Sequence, residues 1–287
     1  MGSGETATGA PPLPPGRAVH LPRRGTTYVR ELPGPPGAPV LLLLHGWTAT
    51  ADLNWFTSYE TLGRDFRVLA MDLRGHGRGI RSRRPFRLED CADDVAALAD
   101  VLGIGGLIPV GYSMGGPVAQ LTWRRHPDLV EGLVMCATAR RFSGRGPAER
   151  AFYSGVLGLS LAARAVPANL RLQIMDNMMR RRLDPGPLTE WAMRELRRND
   201  PSAVLAAGSA LGSFDSRAWL GQIDVPVAVV VTTEDRVVAP RSQLALAASI
   251  THATVHHVRG DHVACVFAAD RFVPTLAGAC KEVAVSR

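Results

Sequence analysis

Short apolar runs bounded by glycine and proline alternate along this chain with segments in which apolar residues recur at helical spacing. This alternation is typical of an α/β fold, a mostly parallel sheet covered by helices. The run at residues 225–231 is almost continuously apolar, which is the pattern of a strand buried on both faces. Strands are predicted at residues 27–32, 40–44, 66–71, 107–111, 130–136, 225–231 and 254–258. Helices are predicted at residues 91–102, 114–125, 242–249 and 263–283.

The pattern changes between residues 138 and 220, where helical segments follow one another without a convincing strand. We therefore predict a helical cap at 138–220 and an α/β core formed by 26–137 and 221–287. Residues 1–25 are predicted to be a flexible N-terminal tail, because the first twenty residues are rich in glycine, alanine and proline. No internal repeat or long linker divides the chain into independently folding halves.

The basic residues are almost all arginine, since only Lys281 among the 33 lysines and arginines is a lysine. Schiff-base enzymes, pyridoxal phosphate enzymes and Walker-type nucleotide hydrolases need a positioned lysine, so these classes are disfavoured. The formal net charge of +7 would attract nucleic acid or anionic membranes. No aromatic residues interleave with the arginines for base stacking, and we expect no nucleic-acid partner. The arginines at 81–87 and 194–198 are interpreted as solvated surface, and contact with anionic lipid stays open.

The cysteines lie apart from one another in apolar stretches, with no Cys-x-x-Cys pair and no histidine at zinc-ligand spacing. We expect buried, reduced thiols in a cytoplasmic protein, without a metal site or a cofactor. The N-terminal residues lack the basic start and apolar centre of a secretory signal, and no apolar stretch is long enough to span a bilayer. The four cysteines are Cys91, Cys136, Cys265 and Cys280.

A Gly-Tyr-Ser-Met-Gly sequence at residues 111–115 follows an apolar run and precedes a helical segment. This is the G-x-S-x-G pattern of a nucleophile elbow, a turn so sharp that the serine hydroxyl projects from the end of a strand. Such a turn needs small flanking residues, and Gly111, Gly115 and Gly116 meet that need. Ser113 is therefore the candidate nucleophile.

A serine nucleophile needs a general base and a carboxylate that orients the base, and folds with this kind of elbow supply them in the chain order Ser, Asp or Glu, His. Asp235 follows the apolar run at 225–231, and His262 follows the next predicted strand. The ends of parallel strands meet at one edge of a sheet, so both side chains should lie near Ser113. Glu234 is interpreted as a solvated loop charge and Asp261 as a turn former.

The sequence His45-Gly46-Trp47 directly follows the apolar run at 40–44, where this kind of fold supplies its second oxyanion donor. We assign the backbone N–H groups of Trp47 and Met114 to an oxyanion hole. Because the donors belong to the main chain, His45 is interpreted as a brace for the loop. In the glycine-rich turn at 72–77, Asp72 and His76 are interpreted as turn-stabilising residues.

With these motifs in this order, the sequence resembles the α/β-hydrolase superfamily, in particular the cap-bearing group of bacterial esterases, lysophospholipase-like lipases and cofactor-free haloperoxidases. The resemblance covers the chain after about Thr26. It implies a mostly parallel eight-stranded sheet flanked by helices, with a helical cap inserted between strands six and seven, where residues 138–220 fall. The motifs that match are His45-Gly46-Trp47, residues 72–77, the elbow at Ser113, Asp235 and His262.

These residues predict a serine hydrolase that cleaves carboxylic esters through an acyl-enzyme, acting on a small acyl ester or a lipid-like molecule. Two alternatives use the same triad: a perhydrolase or haloperoxidase, and a carbon–carbon bond hydrolase. The latter often shares the Ser-Met-Gly-Gly elbow but usually has an aromatic residue after the histidine, where this chain has Val263. A third alternative is a ligand receptor that keeps a triad and hardly turns over. The residues do not specify the chain length of the acyl group or the oligomeric state.

Overall fold

Eight strands form one sheet in the structure, a computed structural model that describes residues 9–142 and 186–286. The order across the sheet is β1-β2-β4-β3-β5-β6-β7-β8. Strand β2 pairs antiparallel with β1 and β4, and the remaining neighbours are parallel. The strands are Gly16–Leu21 (β1), Gly25–Leu32 (β2), Val40–Leu44 (β3), Arg67–Met71 (β4), Ile108–Tyr112 (β5), Leu133–Cys136 (β6), Val227–Thr232 (β7) and Thr254–Val258 (β8).

Helices cover both faces of the sheet, because successive side chains of the central strands point to opposite sides. In β3, Leu42 and Leu44 pack into one buried apolar cluster, while Leu41 and Leu43 pack into the other. The α-helices are Ala51–Trp55 (α1), Tyr59–Leu62 (α2), Leu88–Leu102 (α3), Gly115–Arg125 (α4), Pro187–Leu196 (α5), Pro201–Ser213 (α6), Pro240–Ala247 (α7), Ala264–Phe267 (α8) and Ala269–Val285 (α9). Helices α3 and α4 lie on the first face, and α9 lies on the second.

The predicted α/β fold is confirmed, and each of the seven predicted strands overlaps an observed one. The expected tail at 1–25 is wrong for residues 16–25, because Gly16–Leu21 forms edge strand β1 and β2 begins at Gly25. The signal in β1 is weak, since only Val19 and Leu21 of its six residues are buried. Residues 1–8 of the expected tail lie outside the described residues.

The segment between β6 and β7 contains helices α5 and α6 in its described part, and residues 143–185 of the predicted cap lie outside the described residues. The long helix predicted at 263–283 is two helices, α8 and α9. They are separated at Ala268, whose φ of −128° and ψ of 36° depart from helical values. This break allows α8 to follow His262 directly without being collinear with α9.

The four cysteines are free and buried, as expected from their apolar surroundings. Burial raises the pKa of each thiol, to about 12 for Cys265. The thiolate is the reactive form of cysteine, so these side chains act as small apolar groups. Across the described ranges, none of the helices combines the length and apolar character that crossing a bilayer requires.

Two glycine-to-alanine changes should have opposite effects on stability. Gly278 lies exposed inside α9, and a Cβ there would meet nothing within 4 Å. We expect Gly278→Ala to raise the free energy of unfolding by about 0.5–1 kcal/mol, because alanine loses less backbone entropy in a helix. A Cβ on Gly132 would lie 2.3 Å from Val283 Cγ1, so Gly132→Ala should be destabilising. Urea unfolding of both variants checks this, and equal shifts would contradict it.

Candidate active site

Ser113 occupies the turn between β5 and α4 in a left-handed conformation with φ of 51°. The chain approaches itself closely around this turn. A Cβ on Gly111 would lie 2.3 Å from Gly115 O, and one on Gly115 would lie 2.1 Å from Leu44 O. Any larger residue would collide with backbone at either position, so the glycines of the motif are required by space. The turn is also held by Thr138, whose hydroxyl donates to Ser113 O at 2.7 Å.

A chain of hydrogen bonds joins Ser113, His262 and Asp235, which are separated by up to 149 residues in sequence. His262 Nε2 lies 3.0 Å from Ser113 Oγ, and Nδ1 lies 2.8 Å from Asp235 Oδ2. Because the carboxylate can only accept, Nδ1 carries the proton, and Nε2 is left to accept the proton of the serine hydroxyl. The structure therefore brings the three residues together in the order that a nucleophile, a base and an orienting carboxylate require.

The carboxylate of Asp235 is surrounded by donors. Besides His262, its Oδ2 accepts from Thr232 Oγ1 at 2.8 Å and from Gln243 Nε2 at 3.2 Å. Its Oδ1 accepts from two backbone N–H groups, those of Val237 and Val238, both at 2.8 Å. Burial favours the neutral acid, but the hydrogen bonds and the charge of His262 outweigh burial and lower the pKa of Asp235. The side chain is therefore held as a carboxylate in a fixed orientation.

Two further residues position the triad, and the sequence analysis did not single them out. Tyr112 donates its hydroxyl to His262 O at 3.0 Å across 150 residues of sequence. Gln243 in α7 contacts Asp235 and also accepts from Thr232 N at 3.0 Å. Tyr112 lies inside the elbow motif, but nothing local in the sequence shows what its hydroxyl reaches. Their roles arise only when distant strand ends meet.

The loop after β3 runs beside Ser113. A Cβ on Gly46 would lie 3.3 Å from Ser113 Cβ, which is a tight contact, so the backbone at Gly46 lies close to the serine. Trp47 lines the same cavity as Ser113, and Met114 follows Ser113 in the elbow. Within residues 9–142 and 186–286, the N–H groups of Trp47 and Met114 donate to no other protein group. Their assignment to an oxyanion hole stays a prediction.

His45 stabilises this loop through hydrogen bonds of both its ring nitrogens. Its Nε2 accepts from Leu73 N at 2.9 Å, and its Nδ1 donates to Gly46 O at 2.8 Å. The ring lies 5.3 Å from that of His76, and both residues are fully buried. Burial lowers the pKa of His45 to about 4 and that of His76 to about 3, so both rings are neutral. Neither ring bonds to the triad, which agrees with a structural interpretation of both histidines.

Asp72 and the competing acidic residues also have structural partners. Asp72 accepts from Ala51 N at 2.9 Å and from Arg78 N at 2.8 Å, so it ties the 72–77 turn to α1. Glu234 pairs with an exposed arginine, Arg259, at 2.8 Å. Asp261 accepts from Val263 N at 3.0 Å and forms the turn that was expected. The described residues contain no group of three or more His, Cys, Asp or Glu side chains able to hold a metal ion.

The two buried histidines predict a steep loss of stability in mild acid. Their folded-state pKa values lie below the ordinary value of 6.5, so the unfolded chain binds more protons as the pH falls. Their contribution to stability is complete above pH 6.5 and is lost as the pH falls towards about 4 and about 3. At pH 5, each histidine should cost about 2 kcal/mol relative to pH 7.5.

Urea unfolding at pH 7.5 and pH 5 measures this difference. The variant His76→Gln should lose about half of the pH dependence. The same change at an exposed histidine, His20→Gln, is the control and should keep the wild-type dependence. A wild-type stability that is equal at the two pH values would contradict the prediction.

A cavity of about 340 Å³ opens over Ser113 and His262. Helix α5 contributes one wall, where Trp191 packs edge-on against Phe56 with ring centroids 5.3 Å apart. Among the described residues that line it, none is an aspartate, glutamate, lysine or arginine, although the chain is rich in arginine. The space beside the serine is thus suited to apolar groups. Its apolar side chains include Leu53, Phe56, Trp191, Leu196, Val266 and Phe267.

The arginines at 81–87 differ in their surroundings. Arg83, Arg84 and Arg87 are exposed, as expected for a solvated surface. Arg81 is exposed as well, but it donates to Gly75 O at 2.9 Å and to Gly77 O at 2.6 Å, so it stabilises the turn beside it. The interpretation as solvated surface is therefore incomplete for Arg81.

Comparisons with known proteins agree with the fold. A family model described as alpha/beta hydrolase fold matches residues 39–269. A pimeloyl-[acyl-carrier protein] methyl ester esterase of Neisseria meningitidis is 30% identical over 213 residues, which are 72% of this chain and 79% of the relative. A bifunctional esterase/perhydrolase of Acinetobacter calcoaceticus is 38% identical over 96 residues, covering 33% of this chain and 34% of that protein. The thermophilic esterase from Thermogutta terrifontis has the same fold, with a TM-score of 0.75 and 23% identity over 94% of this chain and 99% of its own.

The fold, the elbow and these comparisons define the class. The chain belongs to the α/β-hydrolase fold family. It is a hydrolase, as the resemblance of its motifs implies.

Proposed function

We propose that this protein hydrolyses carboxylic esters through a Ser113–His262–Asp235 triad and an acyl-enzyme intermediate. The observation that carries the proposal is the hydrogen-bonded chain from Ser113 Oγ through His262 to Asp235, beside an apolar cavity. The same three residue types on unrelated folds perform acyl transfer, because the geometry activates a hydroxyl that is otherwise a weak nucleophile.

In the first half of the reaction, Ser113 Oγ attacks the acyl carbon while His262 Nε2 takes the hydroxyl proton. Asp235 stabilises the charged imidazole that forms. The N–H groups of Trp47 and Met114 donate to the negative oxygen of the tetrahedral intermediate. His262 then gives its proton to the alcohol oxygen, the ester bond breaks and the alcohol leaves.

Water completes the cycle. His262 Nε2 takes a proton from water as the water oxygen attacks the acyl-enzyme, and a second tetrahedral intermediate forms in the same oxyanion hole. Collapse of this intermediate returns the proton to Ser113 Oγ and releases the carboxylic acid. No metal ion or cofactor takes part in the proposed reaction.

The lining of the cavity favours a neutral, apolar acyl group. Removing a carboxylate from water without a partner is costly, and the described lining offers no lysine or arginine to pair with it. An aliphatic chain would instead bury apolar surface against Trp191 and Phe56. We therefore propose uncharged acyl esters as the substrate class.

Labelling and a substrate series test the proposal together. Purified protein is treated with a fluorophosphonate, and the labelled peptide is identified by mass spectrometry. Turnover is measured in parallel with p-nitrophenyl esters from acetate to palmitate. We expect the label on Ser113 and turnover with an optimum chain length. Esters whose acyl chain ends in a carboxylate should be poorer than neutral esters of equal length. A label on another residue, or no label, would overturn the triad.

Perhydrolysis is a second candidate, favoured by the similarity to the esterase/perhydrolase of Acinetobacter calcoaceticus. Hydrogen peroxide would take the place of water at the acyl-enzyme, so that a peracid leaves in place of the acid. The test is halide-dependent dye bromination in acetate and peroxide. Bromination that is absent in a protein active on esters would leave hydrolysis as the sole activity of the triad.

A further inference from the structure

Asn199 joins two loops of the core from the segment between α5 and α6. Its Nδ2 donates to Thr48 O at 2.7 Å, and its Oδ1 accepts from Gly77 N at 2.7 Å. Thr48 lies 151 residues away in sequence, next to Trp47 in the loop after β3. Asn199 is 4% exposed; its hydrogen bond with Gly77 N is buried and its hydrogen bond to Thr48 O is partly buried. Its two partners also fix which end of the amide faces each loop.

The backbone that Asn199 holds is in an unusual conformation. Thr48 has φ of 66°, in the left-handed region that β-branched residues rarely adopt. A residue in this region persists only when its surroundings hold it there. The hydrogen bond from Asn199 acts on the carbonyl of this residue. It therefore restrains the Thr48–Ala49 peptide, next to the left-handed residue that follows the proposed donor Trp47.

A second contact from the same part of the chain reaches Trp47 itself. Trp47 Nε1 donates to Val204 O in α6 at 2.6 Å. A Cβ on Gly208, one turn further along α6, would lie 2.5 Å from Trp47 Cζ2, so the helix packs directly on the indole. Residues 199–208 therefore contact two adjacent residues of the loop. Asn199 binds the backbone carbonyl of Thr48, and α6 contacts the side chain of Trp47.

The same segment is fixed to the 72–77 turn. Asp200 N donates to Gly75 O at 3.0 Å, beside the hydrogen bond from Gly77 N to Asn199. Asp200 also caps α6, because its carboxylate accepts from Ser202 N at 2.9 Å. Asn199 is therefore fixed relative to both the 72–77 turn and α6. The position of α6 thus determines where the Asn199 side chain meets the loop of Trp47.

We propose that Asn199 is a positioning residue for the oxyanion hole, and that it sets the direction of the Trp47 N–H by restraining Thr48. This inference rests on the proposed function, because it takes Trp47 as an oxyanion donor. Through Asn199, the segment between β6 and β7 then helps to stabilise the transition state. Through α5, the same segment also lines the cavity. Asn199 itself is not proposed to touch the substrate.

The variant Asn199→Asp tests the proposal. Aspartate keeps an acceptor for Gly77 N but replaces the donor that faces Thr48 O with a second acceptor, which repels that carbonyl. We expect kcat to fall by about 10- to 100-fold with little change in KM, since a slightly misplaced donor is weakened mainly in the transition state. Affinity for a trifluoromethyl ketone, which forms an oxyanion on Ser113, should fall by a similar factor. Affinity for the carboxylic acid product should stay near the wild-type value.

The control is Ser216→Ala, which removes another buried hydrogen bond between this segment and α4. Ser216 Oγ lies 2.7 Å from Gln120 Oε1 and 3.2 Å from Arg140 O, and among the described residues it has no hydrogen bond to the loop of Trp47 or to the triad. We expect this variant to keep wild-type kcat and ketone affinity. Asn199→Ser, whose hydroxyl lies one bond closer to the backbone and so weakens both hydrogen bonds, provides a second variant if the aspartate prevents folding.

All rates are divided by the fraction of protein that a fluorophosphonate labels, so that partial unfolding does not imitate a loss of kcat. Full kcat and ketone affinity in folded Asn199→Asp or Asn199→Ser would overturn the inference. An equal loss of affinity for ketone and product would also overturn it, because it would show a general disturbance of the cavity. Failure of the wild type to label at Ser113 would instead count against the proposed function.

Discussion

The variant Ser113→Ala should lose at least about 10⁴-fold in kcat/KM for a p-nitrophenyl ester that the wild type hydrolyses. The reason is chemical, because alanine leaves no atom to form the acyl-enzyme and His262 no longer has a hydroxyl to activate. The fold should be retained, since Ser113 N still donates to Cys136 O at 2.9 Å and the elbow keeps its glycines. Stopped-flow or steady-state release of p-nitrophenol measures the loss, and fluorophosphonate labelling should disappear with it.

Ser58→Ala is the matched control for this variant. Ser58 is fully buried and Ser113 is 6% exposed, and the Ser58 hydroxyl has no partner in the described structure. We expect Ser58→Ala to keep wild-type kcat/KM and labelling. Retention of full esterase activity in Ser113→Ala, from a preparation free of host esterases, would be incompatible with the proposed mechanism.

Asp235→Asn should lower kcat by about 10⁴-fold, because an amide cannot replace the carboxylate at this position. Every group around the Asp235 oxygens is a donor: one imidazole N–H, one hydroxyl, one side-chain amide and two backbone N–H groups. An NH₂ group placed towards His262 would favour the wrong imidazole tautomer. Placed towards the loop, it would oppose the N–H groups of Val237 and Val238. Free energy of unfolding should fall as well, since buried donors lose their acceptor.

Glu234→Gln makes the same chemical change at the neighbouring residue and serves as the control. Its carboxylate pairs with Arg259 on the surface, where such pairs contribute little. We expect activity and stability close to those of the wild type. If Glu234→Gln lost as much activity as Asp235→Asn, the assignment of the orienting carboxylate would have to move.

These expectations concern one edge of the sheet. Ser113 follows β5, Asp235 follows β7 and His262 follows β8, and those strands are parallel to their neighbours. Their carboxyl ends therefore meet where ligands of open α/β sheets bind. Helices α5 and α6 also contribute to the candidate site. Trp191 of α5 lines the cavity, and α6 accepts a hydrogen bond from the side chain of Trp47.

The sequence by itself determined the elements whose signals are local. Continuous apolar runs located the inner strands, with β3 predicted to the residue, because a strand buried on both faces cannot tolerate polar side chains. The edge strand β8 was also predicted to the residue, although it contains two histidines and only Val258 of its residues is buried. The elbow was predictable from the sequence for a similar reason. Its turn brings Gly115 so close to Leu44 O that nearly every larger residue is excluded at position 115. The order of Ser113, Asp235 and His262 then followed from their positions after strands.

Only the tertiary structure decided which polar side chains support those residues. Asn199 reaches Thr48 across 151 residues, and Tyr112 reaches His262 O across 150. Strand β1 was not predicted from the sequence, because an edge strand with two buried residues has almost no periodic signal. Hydrogen bonds between distant segments depend on how the elements pack, and a single polar residue in a sequence does not reveal its partner. Local sequence motifs therefore predicted the candidate catalytic residues, while the packing of distant segments determined which residues position them.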